Sequence, residues 1–189
     1  MKKAGIFTTL SIISLALASL ACMVFVGGPE YPPTSIAVST EAVGSLDQQV
    51  QAAQTAAAQS GVMTLSVNET QITSLLASKL ETQTDPFLHN PQVYLRNNEI
   101  QVYGKVSQGN LEANVRIVLS ATIDAEGKPV IAVTSADFGP LPAPEGLNKT
   151  ISALIDETFT GALGPAALGL RLESITIADG VLTMAGRVK

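Results

Sequence analysis

A chain of 189 residues with 16 acidic and 11 basic side chains has a net charge of -5, which leaves no basic footprint for nucleic acid. A single Cys rules out an internal disulfide, and a single His removes most zinc sites and hydrolase triads. Three Tyr, five Phe and no Trp are too few for the stacking platforms of sugar or single-strand readers, so the informative excess is aliphatic.

Lys2 and Lys3 precede an uncharged run, residues 4–29, the layout of an export signal or anchor whose positive end stays in the cytoplasm. Residues 1–29 are therefore assigned to a membrane tether, with the remainder on the extracytoplasmic face of a bacterial cell membrane. Two readings of Cys22 stay open. Ala18, Ser19, Leu20 and Ala21 before Cys22 resemble the bacterial lipobox, which implies diacylation of Cys22 and its exposure as the new N-terminus. Alternatively, residues 5–26 form one helix of roughly 33 Å, enough to cross about 30 Å of hydrocarbon, and Cys22 is inert within it. Residues 30–40 are Pro-rich and are expected to be an extended spacer that lifts the domain off the surface.

Residues 41–189 read as a single α+β domain. Within 41–60, Val43, Leu46, Val50, Ala53 and Ala57 make a narrow apolar stripe on an Ala-rich helix, expected to pack on the domain or to act as a stalk. The 62–189 portion opens with a short alternating strand, residues 62–67. Asn68 then caps a helix running to about Gln83, with Gln71 completing a capping box and Ile72, Leu75, Leu76 and Leu80 on one side. A hairpin turning at Asn97 and Asn98 follows, its inward set being Val93, Leu95, Ile100, Val102 and Val106. From Leu111 to Ile123 alternate residues are apolar for 13 positions, about twice a usual strand, so this strand is expected to bend over something. It returns through residues 129–138. Three prolines between Gly139 and Gly146 halt the sheet and introduce a helix from about Leu147, with Ile151, Leu154, Ile155 and Phe159 on a wide apolar face. The chain closes with a hairpin turning at Asp179 and Gly180, whose alternation changes phase near Glu173 and Ser174 and signals a bulge.

The fold class that follows is a long, strongly curved antiparallel sheet of five or six strands, wrapped around two or more helices after the tether. Catalytic chemistry is thin. His89 stands in a Pro-bounded loop without spaced partners, Asp156 and Glu157 diverge on a helix, and the nucleophile elbow motif is absent. No enzyme activity, cofactor or metal is expected, and the chain is read as a monomer.

The order of strand, helix, long hairpins, the "GPLPAP" break, a second apolar helix and the terminal "IADGVLTMAG" hairpin resembles a half-module of the tubular lipid-binding superfamily. It is similar to small envelope-anchored bacterial proteins related to that superfamily, the mycobacterial lipomannan-elongation factor among them. The resemblance covers about residues 62–189 and implies a greasy groove for acyl chains between sheet and helices. Residues at the corresponding places are Leu75, Leu76 and Leu80 on the first helix, Val115, Ile117 and Leu119 on the sheet, and Ile151, Leu154, Ile155 and Phe159 on the second helix. The implied function is non-catalytic binding of a lipid or other long apolar ligand. The alternative is an envelope scaffold in which these same side chains fill the groove as ordinary core.

Overall fold

The computed structural model describes residues 23–84, 86–143 and 170–188. In chain order these form β1 (Val24–Phe25), α1 (Thr40–Ser60), β2 (Val62–Asn68), α2 (Glu69–Glu81), β3 (His89–Arg96) and β4 (Glu99–Gln108). They continue with β5 (Leu111–Ile123), β6 (Pro129–Asp137), β7 (Leu170–Ala178) and β8 (Val181–Val188). Cys22 and the helix expected from Leu147, with Ile151, Leu154, Ile155 and Phe159, lie outside the described residues.

The local signals read from sequence produce the local structure. Asn68 accepts from the Gln71 N–H at 2.9 Å while the Gln71 side chain accepts from the Asn68 N–H at 3.0 Å, so both orphan donors at the start of α2 are satisfied. Asn97 and Asn98 both adopt left-handed backbone, φ 54° and 61°, which gives the two-residue turn a twist matching that of β3 and β4. The phase change in the last hairpin is a bulge between Leu172 and Ser174. A second bulge, made by the extra residue Thr134 of β6 opposite the Val118–Leu119 step, increases the local twist midway along the 13-residue β5.

The strands do not form one sheet. A five-stranded ladder runs β3, β4, β5, with β6 and the short β1 both on the far side of β5; a separate three-stranded ladder runs β2, β8, β7. β1 is parallel to β5, so the first ladder is mixed and not wholly antiparallel. The two ladders are linked where the Leu172 N–H donates to the Gly127 carbonyl at 2.8 Å, and together they curl into a half-barrel.

A sheet edge needs a partner for each buried N–H, and α2 supplies them for β3, on the side away from β4. Thr73 Oγ1 accepts from the Val93 N–H at 3.0 Å, and Glu69 Oε1 accepts from the Leu95 N–H at 2.8 Å. The match is metrical: four residues of helix rise about 6.0 Å and two residues of strand about 6.7 Å. This explains why the sealed side of α2 carries Gln71, Thr73, Ser74 and Ala77 beside Leu80, while Ile72, Leu75 and Leu76 are half-buried. Thr73→Val keeps shape but orphans the Val93 amide. It is expected to cost about 1–2 kcal/mol and to speed exchange of that amide, as read by denaturant titration and hydrogen exchange.

α1 packs on β2, β8 and α2 through Leu46, Ala53 and Ala57, with Val43 and Val50 half-covered. It starts at Ser39, whose side chain accepts from the Ala42 N–H, and ends at Gly61 in left-handed backbone, φ 73°. The core lies between the ladders and beneath both helices, and it holds the whole expected inward set of the first hairpin.

Candidate functional site

The concave face of the five-stranded ladder is apolar along the whole of β5, because alternate residues point the same way. Its two halves differ in cover. Val115 is 0% exposed and Ile117 2%, in one buried cluster with Val93, Leu95 and Leu88. Beyond the bulge, Ala121 and Ile123 are only half-buried, as are Ile131 and Val133 of β6, which pair with Ala121 and Leu119, and Ile175 on β7. Leu119, still buried, marks the boundary. Of the sequence-derived ligand contacts, Leu80, Val115 and Ile117 thus sit in closed packing. Leu75 and Leu76 lie half-covered on α2, and Leu119 adjoins the half-open strip. Ala121, Ile123, Ile131, Val133 and Ile175 extend that strip; the β5 alternation signalled the first two, but their incomplete cover has no sequence signature.

The convex face carries a second feature. Residues 24–29 are expected from sequence to close the tether, or through residue 26 a spanning helix, and 30–38 to be a free-standing spacer. Instead residues 24–27 bond to the edge of β5, which overturns the helix there, and those on to 38 lie as a strap along this face. They are extended as composition indicates, but docked. The Ile36 N–H donates to Gln92 Oε1 at 2.6 Å and Gln92 Nε2 donates back to the Ile36 carbonyl at 3.0 Å. The Tyr94 hydroxyl donates to the Thr34 carbonyl at 2.7 Å, and Asn114 Nδ2 to the Pro29 carbonyl at 3.1 Å. Tyr31 stacks at a tilt on Tyr103, centroids 5.7 Å apart, and Tyr103 meets Tyr94 edge-on at 5.6 Å. Between strap and sheet an open groove of about 490 Å3 is lined by Phe25, Tyr31, Gln92, Lys105 and Asn114. Lys105 is paired with Glu112 at 2.7 Å, which leaves the groove close to neutral.

Burial, then Glu112 and Tyr94, push the Tyr31 phenol up to about 12, and its hydroxyl has no hydrogen-bond partner among the described residues. Tyr94 is raised in the same direction, first by burial and then by Glu69 and Tyr103. A phenol whose folded pKa exceeds its unfolded value contributes to docking below the unfolded pKa, near 10, and loses that contribution as pH rises through the folded one. Strap docking is therefore expected to hold to about pH 10 and to fail by about pH 12, since a phenolate neither tolerates burial nor donates to Thr34. Absorbance titration of the tyrosines checks this: a late-titrating phenol should ionise together with loss of strap amide protection.

Reactive chemistry is sparse here. His89 is exposed at the start of β3, and among the described residues no group of three or more His, Cys, Asp or Glu side chains could hold a metal ion. No described helix is long and apolar enough to cross a membrane. Fold and surface together define an α+β half-barrel with a half-open apolar strip inside and a strapped, near-neutral groove outside. Compared with protein-family models, with curated proteins and with solved structures, the chain matches none.

Proposed function

We propose that this chain is a membrane-tethered, extracytoplasmic, non-catalytic module that binds a lipid or another long apolar ligand along the concave face of its sheet. One observation carries the reading: β5 presents an unbroken aliphatic row that is sealed from Ala113 to Leu119 and then, at Ala121 and Ile123 with Ile131, Val133 and Ile175, is left half-covered. Water-contacting aliphatic surface in a concavity is the physical requirement of an alkyl-chain site, and the half-buried Leu75 and Leu76 add to the same supply. The likeness to tubular lipid-binding half-modules belongs to this proposal, as do the tether, its lipidation at Cys22 and the monomeric state. The second reading, an envelope scaffold with a filled groove, draws on the closed half around Val93, Val115 and Ile117.

A fatty acid bearing a diazirine on its chain tests the choice. Photolysed with the full chain, it should label peptides containing Ile123, Ile131 and Val133, and Ala121→Trp should abolish that labelling while leaving the circular dichroism spectrum intact. Absence of labelling in these peptides, with ligand-free native mass spectra, would favour the scaffold.

A further inference from the structure

Four large apolar side chains gather, unburied, at one end of the five-stranded ladder: Met23 is 52% exposed, Val24 52%, Phe25 54% and Leu111 40%. Val24 lies beside Leu111 in register. The Val24 N–H donates to the Asn110 carbonyl at 2.7 Å and the Val26 N–H to the Glu112 carbonyl at 2.8 Å, which pins β1 to the start of β5. The turn at this end, residues 107–110, contains no charged side chain. Behind it Lys105 and Glu112 neutralise each other, and the Lys105 ammonium also sits 5.7 Å from the Phe25 ring centroid. The uncharged run that begins at Ala4 leads directly into this cluster.

We propose that this end of the sheet is a bilayer-inserting tip, occupied by the headgroup and upper acyl layer of the membrane that holds the tether. The proposal rests on the tethered reading above. Its core is a matter of reach: from Cys22 to Val24 the chain extends at most about 7 Å. A headgroup layer is itself about 5–7 Å thick. Whether Cys22 is acylated or lies in a spanning segment, which β1 obliges to stop short of Val24 and not to run on to residue 26, Val24 and Phe25 stay within that layer. The strap cannot supply slack, because Gly27, Pro29, Thr34 and Ile36 are all bonded to the sheet. The domain thus sits directly on the membrane with its long strand rising from it. With a net charge of -5, contact is made by apolar burial and not by attraction to anionic lipid, and it is insensitive to salt.

The chain contains no Trp, so single substitutions report their own surroundings. Full-length Phe25→Trp and Leu111→Trp are reconstituted in phosphatidylcholine vesicles with and without brominated acyl chains. Val130→Trp, on β6 opposite Thr122 near the far end of β5, is the comparator. About a two-fold or greater loss of emission is expected in brominated vesicles for the first two variants, unchanged at high salt, with little loss for the comparator. Equal, weak quenching of all three in protein that floats with the vesicles overturns the tip while leaving the tether intact. Blue-shifted emission without bromine quenching also overturns it, by showing that another part of this chain or a second copy covers the cluster. Failure of the full-length protein to float removes the tether and the tip together.

Discussion

Ile117→Ala is expected to lower stability by about 3 kcal/mol, a fall in Tm of roughly 6–12 °C for a domain of this size. Ile117 is 2% exposed in the middle of β5, directly across from Val102 on β4 and Ala136 on β6, in the closed half of the concave face. Removing three methyl or methylene carbons there loses their transfer free energy and leaves a cavity that neighbouring strands, hydrogen-bonded on both sides of β5, cannot collapse to fill. Thermal unfolding followed by circular dichroism measures the effect. The same truncation separates core from ligand wall: a Tm within about a degree of the parent, combined with lost fatty-acid labelling, would mean that the ligand reaches Ile117 itself. Labelling that persists in the destabilised protein would keep the ligand in the half-open strip beyond Leu119.

Gly28→Ala is expected to release the strap while leaving the core folded. Gly28 has φ 119°, a backbone that disfavours any L side chain, and an added Cβ would fall 2.3 Å from the Asn114 carbonyl oxygen. Asn114 cannot retreat, since it pairs with Lys105 of β4 and its N–H donates to the Gly27 carbonyl at 2.9 Å. Strain and overlap together exceed what a few strap hydrogen bonds return, so exchange of the Val24, Val26 and Asn114 amides should accelerate by about 100-fold. The Val93 and Leu95 amides, held by Thr73 and Glu69, should keep their protection. Released, the strap would free Tyr31 from its burial, and its phenol should move back toward the ordinary tyrosine range. Unaltered exchange at Val24 and Val26 would show that the close approach is absorbed locally.

Much of this architecture is legible in local patterns. The capping box at Asn68 and Gln71, the Asn97 and Asn98 turn, the alternation along β5 and the phase slip near Glu173 each reflect an interaction among residues close in sequence. The candidate site is less legible. Alternation states that Val115, Ile117, Leu119 and Ala121 share a face, but not that the first two are fully buried while the last stays half-covered. The burial of Thr73 and Ser74 ahead of Leu75 and Leu76 contradicts simple amphipathic expectation, because the β3 edge amides and the Ser39 N–H demand acceptors that no aliphatic residue provides.

The strap marks the same division. A Pro-rich segment has few backbone bonds of its own to make, so composition correctly marks residues 30–38 as extended and says nothing of what they lie against. Their position follows from Gln92, Tyr94, Tyr103 and Asn114, which are distant in sequence and come together only when β3, β4 and β5 pair. By itself the sequence determined the strands, turns, caps and apolar faces, since these depend on neighbours a few residues apart. The tertiary structure alone decided the split into two ladders, the docking of the strap and the half-open strip, since each depends on which distant surface is left to cover another.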